Sequence, residues 1–453
     1  MKDQEETNQL IEKDPEFIDM IHTNTRFYML FLSCFLCVGS YFVYDNPAAL
    51  QTELQSTLNI GMVKFNMLYS IYSLPNIFIP LFGGLLIDSF GAGRVLLYSS
   101  LLITIGQLIF ALSSHFKSFY LALIGRAIFG SGGENLDLAQ SVIVLSWFSG
   151  KELSMAFGLN SSISLLGSVL NDNTEPFIVS YTGSLSFGLW VGVFVCFLSF
   201  CSVFWINSIN NKRLESLPNK NLETEKFCLK DLNKLDWYFW LLLINSCVID
   251  SSIFCFCNIA SGYYQDRFGY DMVESGSIMS IAFFTAAFLN PFVGIMVDTI
   301  GKRALFLIIS SVFVACFHLL LIMTPSGYKP IAPVLYFVVL GIGYSVYVTV
   351  FWAALSYTVD HKIIGTAYGI MYSFGNLALV VFPIIVGVIQ ESFDMETGYF
   401  GVGIFLEGLA MIGVITCIVM YSEDIKKGGI LDTPNPCLIS LKVGKNEGEE
   451  EEI

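Results

Sequence analysis

The sequence predicts an all-α membrane protein whose twelve transmembrane helices form two pseudo-symmetric six-helix bundles. Of its 453 residues, 54% are apolar and only 13% are charged, and the mean hydropathy is +0.65. Soluble domains carry roughly 25% charged residues. A membrane-spanning helix needs about 20 apolar residues, so the apolar residues suffice for about twelve such helices and leave none for a large soluble domain. The second observation that predicts this fold is an internal repeat shared by the two halves of the chain.

Twelve apolar segments reach the length needed to cross a membrane. They cover residues 26–44, 63–87, 95–113, 118–147, 153–178, 186–207, 237–263, 274–297, 304–324, 331–357, 363–389 and 399–421. Between the first two, Asn46-Pro47 disfavours helix at the preceding residue. We therefore predict that the first span ends there and that residues 48–58 form a short helix outside the membrane.

The two halves of the chain repeat one short pattern after their second predicted span. Glycine, aspartate and glycine recur 210 residues apart, and an arginine follows each copy: Gly84, Asp88, Gly91 and Arg94, then Gly294, Asp298, Gly301 and Arg303. The repeat indicates two bundles. The predicted organisation is an N-terminal tail, a first bundle, a linker, a second bundle and an acidic tail, at residues 1–25, 26–207, 208–236, 237–421 and 422–453.

The distribution of basic residues predicts the orientation. Most of the 23 lysines and arginines fall in the tails, the linker and the loops on the same side as the termini. The loops on the other side hold only Lys64, Lys117, Arg267 and Lys329. By the positive-inside rule, both termini are cytoplasmic. The net charge of −15 comes partly from the terminal tails, and nothing in it points to nucleic acid as a partner.

The repeated loop, with a turn glycine, an aspartate and a following basic residue, resembles the signature loop of the major facilitator superfamily. This resemblance implies the major facilitator fold, with two copies of a loop that holds the cytoplasmic ends of the bundles together. It implies gate or structural roles for Asp88, Gly91, Arg94, Asp298, Gly301 and Arg303. The aspartates could instead only interact with helix termini, which is compatible with a gate.

Four further stretches resemble the lysosomal dipeptide uniporter branch of this superfamily. They are residues 44–52, Gly132-Gly133-Glu134, residues 146–153 and residues 365–369. The similarity extends over about 26–421 and implies an alternating-access transporter of small peptides or amino acids in a lysosomal or endosomal membrane. Asp45, in the first stretch, would lie at the non-cytoplasmic mouth, as a helix cap, a solvated carboxylate or a substrate contact.

Ionisable residues inside spans are costly and therefore point to function. They are Arg126, Glu134 and Asp137 in the fourth span, Asp250 in the seventh, and Asp172 and Glu175 near the end of the fifth. Glu134 lies near the middle of the fourth span, and a midplane site between the halves is where facilitators bind substrate. The resemblance implies that it holds a substrate amine; the alternative is a structural partnership with Arg126. Arg126 precedes it by eight residues, about 80° round the helix. For Arg126 itself, proton coupling, substrate-carboxylate binding and a purely structural role stay open.

Asp250 makes the seventh span unusually polar, and we predict that it lines the cavity. Weaker candidates for hydrogen bonding or stacking are Asn160, Asn171, Tyr344, Tyr347, Trp352, Tyr372 and Asn376, although aromatic residues in such helices more often serve packing. Two positions depart from the resembling family, which has an arginine at Leu165 and a lysine at Ser261. The predicted pocket is therefore rich in acid, and we hypothesise a shift toward cationic or amine-bearing substrates.

No enzymatic site or cofactor is expected. The loops contain no nucleophile–base set, phosphate loop or zinc spacing. The eleven cysteines lie mostly in apolar runs and are interpreted as small buried residues. His318 lies in the ninth span, which is peripheral in facilitators.

Targeting and partners are indicated at the N-terminus and by glycosylation sites. Glu6, Leu10 and Ile11 fit an acidic dileucine signal read by a sorting adaptor. Asn160-Ser161-Ser162 has the spacing of a glycosylation site but lies in a span. The resembling family uses a glycosylated single-span accessory subunit as a shield, which makes such a partner possible here.

Two other functions stay open. One is a proton-coupled symporter of cationic amino acids, organic cations or drugs, with Glu134 and Asp250 as proton carriers. The other is a non-transporting nutrient sensor that signals through its tails, although these tails are short.

Overall fold

A computed structural model describes residues 23–148, 151–216, 235–359, 364–426 and 428–432. Within these ranges the chain is helical, with short turns and no strands. The predicted sorting signal (Glu6, Leu10 and Ile11), most of the predicted linker and most of the acidic tail lie outside the described residues.

The first half contains nine α-helices. They are α1 (Thr25–Tyr44), α2 (Asn46–Ala49), α3 (Gln51–Leu58), α4 (Met62–Ser73), α5 (Ile79–Phe90), α6 (Ala92–Phe116), α7 (Phe119–Trp147), α8 (Lys151–Thr182) and α9 (Leu185–Ser216). The second half contains α10 (Trp237–Phe268), α11 (Met272–Ile300), α12 (Arg303–Met323), α13 (Ala332–Thr358), α14 (Ile364–Ser392) and α15 (Met395–Lys426).

Nine of the described helices are long and apolar enough to cross a membrane. The other three predicted spans are also present, but each differs from a simple apolar helix. The second span is two helices, α4 and α5, separated by a 3₁₀ turn at Pro75–Ile77. The fourth and fifth are α7 and α8, 29 and 32 residues long and richer in polar residues. Twelve spans thus form the predicted membrane fold.

Small residues allow the spans to pack closely, as expected inside a membrane. A Cβ atom on Gly106 or Gly125 would collide with the backbone of the neighbouring helix, so α6 and α7 lie in direct backbone contact. The two halves meet along two seams, α4 and α5 against α14, and α8 against α11. In the second seam, Gly276 faces the Asp172 carbonyl oxygen.

Both copies of the repeated loop turn at a glycine with a positive φ. Gly91 has φ 83° and Gly301 has φ 73°, values that an L side chain rarely adopts. Each glycine ends its helix by donating its N–H four residues back, Gly91 to Ile87 at 2.7 Å and Gly301 to Val297 at 2.8 Å. The glycines therefore form the tight turns that the repeat predicts.

The charged residues of the two loops differ in their surroundings. Arg303 is buried, and its guanidinium lies 3.8 Å from the centre of the Tyr357 ring. Arg94 is exposed, and Asp298 is half-buried. The Asp88 side chain lies outside what the structure describes. The gate roles of these residues stay predictions.

The segment after the first span contains two short helices rather than one. Helix α1 ends at Tyr44, directly before Asn46-Pro47, as predicted. Leu50, with φ −111° and ψ 25°, then separates α2 from α3, so the single helix expected over 48–58 is wrong in this detail. We call the end of the bundle that carries α2 and α3 the far end, because it lies opposite the start of α1 and the end of α15.

Candidate functional site

Three carboxylates from both halves of the protein come together inside the bundle. Glu134 and Asp137 lie on α7, and three residues of separation put them on one helix face. Asp250 lies on α10, and the Glu134 carboxylate is close enough to interact electrostatically with both aspartates. All three side chains are half-buried, although each lies in the middle of a span. They define the candidate site, which we call the central acid cluster.

Glycines next to Glu134 determine where its carboxylate points. A side chain on Gly132 would meet the Ser99 carbonyl oxygen of α6, and one on Gly133 would meet the Tyr72 hydroxyl of α4. Two neighbouring helices therefore pack against these glycines, and Glu134 projects from the part of α7 that faces the second half. Asn376 of α14 faces the Glu134 carboxylate there. The predicted Glu134 and Asn376 thus lie together across the interface of the halves.

Asp250 is held by two hydroxyl groups. Ser246, one turn earlier on α10, donates a hydrogen bond to Asp250 at 2.9 Å. Tyr347 of α13 donates to the same Oδ2 atom at 3.2 Å. These neutral donors orient the carboxylate without cancelling its charge. Asp250 and Tyr347, both predicted, are therefore one unit of the site.

Aromatic rings from α13 and α14 form one wall of the site. Trp352 stacks between Tyr368, at 5.3 Å between ring centres and 11° between planes, and Tyr372, at 4.8 Å and 26°. The Tyr368 hydroxyl donates to the Trp352 carbonyl oxygen at 3.2 Å, which holds the stack. The Tyr372 hydroxyl interacts electrostatically with all three members of the central acid cluster. Such π-faces beside carboxylates suit organic cations.

Arg126 lies apart from the central acid cluster, with its side chain fully buried. Its guanidinium donates to three carbonyl oxygens, those of Val43 at 3.3 Å, Tyr44 at 3.2 Å and Leu68 at 3.5 Å. Five aromatic rings surround it at 5.1–5.9 Å, those of Tyr44, Tyr69, Tyr72, Phe110 and Phe129. The described contacts are therefore those of a residue that binds the far end of α1 to α4 and α7.

Three other predicted residues lie at the edges of the site. Asp45 is buried between α1 and α2, where Ser168 faces its carboxylate. Asn160 is half-buried and accepts a hydrogen bond from Gln140 at 2.9 Å within the first half. Tyr344 interacts electrostatically with Asp250, and its ring packs edge-on against Phe254 at 5.9 Å.

Among the described residues, no lysine or arginine forms an ion pair with the central acid cluster. The two positions predicted to depart from the resembling family supply no cation to it. Leu165 is buried in the apolar core, with 4% of its surface exposed. Ser261 is fully buried and hydrogen-bonded to the Ala49 carbonyl oxygen and to Gln265. Within the described part of the chain, the site therefore combines three carboxylates with neutral hydrogen-bond donors and aromatic rings.

Hydrogen bonds across the halves are concentrated at the far end, in a set that we call the far-end lock. Its four bonds are Gly262 N–H to Gln51 at 3.0 Å, Ser261 to Ala49 at 3.5 Å, Val63 N–H to Glu391 at 2.9 Å and Thr52 to Gln265 at 3.2 Å. Toward the other end, the described side chains contribute one such bond, Asn290 to Ser161 at 3.4 Å. Among the described residues, hydrogen bonds across the halves are thus more numerous at the far end.

Sequence reasoning missed the grouping of Asp137 with Glu134 and did not name Cys37 as a site residue. Asp137 was noted among the ionisable residues of the fourth span, but its three-residue spacing from Glu134, which places both on one face, was the unused signal. Cys37 of α1 lies 3.8 Å from the Asp137 carboxylate. Tyr372, a weaker candidate from the sequence, lies four residues before Asn376, so both lie on one face of α14.

The fold and the site define a class: a two-bundle membrane carrier with a polar site between its halves. The family model described as "Major Facilitator Superfamily" matches residues 29–383. The chain belongs to this superfamily.

Comparison with curated proteins narrows the similarity. The chain is 32% identical over 425 residues to the "Lysosomal dipeptide transporter MFSD1" of Bos taurus, covering 91% of this chain and 89% of that protein. It is 31% identical to the Homo sapiens protein of the same name, with 92% and 90% covered. The chain therefore resembles dipeptide transporters over nearly its whole length.

Solved structures share the fold at low sequence identity. A nucleoside transporter, NupG, aligns with a TM-score of 0.70 and 14% identity over 86% of this chain and 99% of that one. A peptide transporter, POT, in complex with alafosfalin aligns with a TM-score of 0.69 and 14% identity, over 89% and 96%. At this identity the likeness concerns the fold alone.

Proposed function

We propose that this protein is an alternating-access transporter of small peptides or amino acids in a lysosomal or related endomembrane, working as a dipeptide uniporter does. The observation that carries the proposal is the central acid cluster, which lies between two halves that are locked together at the far end. In alternating access the halves rock around such a fixed site. Breaking the far-end lock would expose the central acid cluster to the far side of the membrane.

The cargo amine would bind at Glu134. A charge-assisted hydrogen bond to a carboxylate is roughly twice as strong as a neutral one, and Glu134 is the carboxylate at the interface of the halves. Asp250 lies across that interface and could receive a second amine. Neutral donors, the hydroxyl of Tyr372 and the amide of Asn376, would accommodate a peptide carboxylate.

The absence of a cation beside the cluster in the described part of the chain favours cationic cargo. A dipeptide with a lysine or arginine side chain brings two positive charges to three carboxylates, whereas a neutral dipeptide brings a carboxylate that finds no charged partner. We therefore propose that cationic dipeptides and other amine-rich molecules bind better than neutral dipeptides. The Trp352 stack would contribute a cation–π contact.

The placement in the cell follows the same reasoning. We propose that both termini are cytoplasmic, because the basic residues of the sequence favour that side. The N-terminal signal would be read by a sorting adaptor. A glycosylated single-span subunit would cover the far end, where the chain itself offers no glycosylation site in a loop.

Counterflow of labelled peptides in proteoliposomes tests the proposal. Vesicles that contain the protein and unlabelled lysyl-alanine should accumulate labelled lysyl-alanine more than labelled alanyl-alanine. Glu134→Gln, which keeps the shape and removes the charge, should weaken peptide binding by about 10- to 100-fold, as expected for a hydrogen bond to a charged group. Glu407→Gln, a matched change in α15 outside the site, should leave transport intact.

The outcomes separate the possible functions. Counterflow that requires a pH gradient and accepts single organic cations would favour the proton-coupled symporter. Peptide binding without any counterflow would favour a sensor. Equal transport by the wild-type protein and Glu134→Gln would contradict the proposed site.

A further inference from the structure

Two buried acids of α8 have no role in the central acid cluster. Asp172 and Glu175, which we call the gate acids, lie three residues apart, near the far end of the bundle. Neither has any exposed surface. Their helix packs against α1 on one side and against α11 of the other half. They therefore lie inside the protein beside the seam between the halves.

The gate acids lack the partners that a buried carboxylate needs. Among the described residues, the Asp172 Oδ2 atom and both Glu175 carboxylate oxygens have no hydrogen-bond partner. Asp172 Oδ1 accepts one bond, from Asn171 at 3.1 Å. Burying an ionised carboxylate without a partner is very costly, and the group takes up a proton instead. A neutral carboxylic acid is therefore the form that this environment tolerates.

A chain of amide side chains connects the gate acids to the start of α2. Asn171 accepts a hydrogen bond from Asn46, and Asn46 in turn accepts one from Gln107 at 2.7 Å. Asn46 also faces the Glu175 carboxylate. The helix that begins at Asn46 leads directly to Ala49 and Gln51, which belong to the far-end lock. The acids are thus linked through one polar network to the segment that must move.

The charged and titratable neighbours offer no salt bridge to the gate acids. Asp45, between α1 and α2, is an acid and interacts with Asp172 unfavourably. The groups that face Asp172 or Asp45 from the other helices are Tyr44 of α1, Tyr69 of α4, Arg126 of α7, Cys257 of α10 and Tyr344 of α13. On α11, Glu274 binds Lys329 at 2.8 Å instead. Arg126 is committed to three carbonyl oxygens, as described above.

The seam at Asp172 is one that opening must separate. A Cβ atom on Gly276 of α11 would collide with the Asp172 carbonyl oxygen and with Pro176. The two backbones are therefore in contact while the far end is closed. When the halves part at this end, water reaches α8. The free-energy cost of an ionised carboxylate at this position then falls.

We propose that Asp172 and Glu175 form a proton-binding site that couples closure of the far end to protonation. Protons occupy the gate acids when the far end is closed and leave them when it opens. This inference rests on the alternating-access part of the proposed function, and it assigns a pH dependence of far-end closure to residues outside the substrate site. Acid on the far side then favours the closed far end.

The linkage has a definite sign and size. The closed state binds more protons than the open state, so the ratio of closed to open molecules rises as the pH falls. Each linked proton changes this ratio by about tenfold per pH unit while the open-state acid is ionised and the closed-state acid is protonated. Two acids give a steeper response than one.

The test measures the far end directly, in the full-length protein in nanodiscs without peptide. Fluorophores are introduced by unnatural amino acids at Tyr181 of α8 and Tyr328 before α13, which are 84% and 83% exposed and belong to opposite halves. Energy transfer between them should increase as the pH is lowered. The double variant Asp172→Asn/Glu175→Gln should remain closed at every pH, because it mimics the protonated acids.

Matched variants keep the result interpretable. Glu407→Gln, a change on α15 outside the gate acids and outside the central acid cluster, should retain the wild-type pH response. If the double variant does not fold, each single variant should reduce the steepness of the response. In infrared difference spectra, the carbonyl band of a protonated carboxylic acid should weaken in the gate variants. A wild-type pH response in Asp172→Asn and in Glu175→Gln, with that band unchanged, would overturn the proposal.

The experiment is independent of the cargo. A far end that responds to pH, together with no peptide counterflow, would contradict the proposed function. The proposed proton-binding site at the gate acids would remain supported. Peptide counterflow together with a far end that does not respond to pH would support the proposed function and contradict the proton-binding site at the gate acids.

Discussion

The backbone N–H of Gly262 donates a hydrogen bond to the side-chain oxygen of Gln51 at 3.0 Å. This bond joins α10, which carries Asp250, to α3 of the other half. Gln51 is buried, and a Cβ atom on Gly262 would collide with its amide. The glycine therefore lets the two halves approach at the point where the far-end lock closes.

Gln51→Ala should shift the protein toward the state that is open at the far end. It removes one buried hydrogen bond across the halves, worth about 1 kcal/mol, or about a fivefold change in the closed-to-open ratio. Energy transfer between labels at Tyr181 and Tyr328 measures the shift. Gln55→Ala is the control, because Gln55 lies on the same helix but bonds to Met62 of its own half. Equal shifts in both variants would contradict a lock at Gln51.

Arg126→Met should destabilise the protein strongly. The variant leaves three buried carbonyl oxygens without their donor, and each lost partner costs about 1–3 kcal/mol. The stability of Arg126→Lys should lie between those of Arg126→Met and the wild type, because an ammonium group cannot reproduce the planar set of donors. The thermal midpoint in detergent measures the effect.

The peptide-dependent shift of that midpoint separates stability from binding. If Arg126 instead held a substrate carboxylate, Arg126→Lys would keep the midpoint of the free protein and lose the stabilisation by peptide. That result would contradict the structural role.

The sequence predicts the fold well because membrane insertion depends on local properties. Twelve apolar segments and the repeated glycine turns are visible in a window of about 20 residues. The break in the second span at Pro75 and the division between α2 and α3 at Leu50 do not appear in hydropathy, because they depend on backbone conformation at single residues. The hydrogen bonds of Arg126 go to residues more than 50 positions away, which no local pattern encodes.

The site was predictable only in part. Glu134 and Asp250 stand out, because any carboxylate in a span needs a reason to be there. The same argument applied to Asp137, Asp172 and Glu175 but did not say which of them share a cavity. Their grouping into a central acid cluster and a separate pair of gate acids depends on how α7, α8 and α10 pack. This packing is a property of the tertiary structure, which a local sequence pattern does not encode.

Two surface contacts at the far end should not contribute to the pH response. The Glu274 carboxylate raises the pKa of Lys329, so this contribution to stability is complete below the ordinary lysine pKa of about 10.4 and is lost only as the pH rises through the higher folded value. Hydrogen bonds from Thr397 lower the pKa of Asp394, so its contribution is complete above about 3.9 and is lost as the pH falls below that.

Lys329→Met and Asp394→Asn should therefore change the thermal midpoint by the same small amount at about pH 5.5 and about pH 7.5, since neither group titrates in that window. In both variants, the far end should still respond to pH as it does in the wild-type protein. A response that disappears in either variant would place the pH sensor at the surface and not at the gate acids.

Leu165→Arg should change the choice of cargo. The resembling family has an arginine at this position of the fifth span, and here the site has no cation within the described part of the chain to receive a peptide carboxylate. An arginine that reaches the central acid cluster would offset part of its negative charge and provide that partner. We expect neutral dipeptides to gain in competition against cationic ones. Competition for labelled lysyl-alanine in counterflow measures the change, with Leu165→Met as the control for altered packing in the apolar core. An unchanged order of competitors in a folded Leu165→Arg variant would show that the missing arginine does not determine the selectivity, and the preference for cationic cargo would then have to come from Asp137 and Asp250.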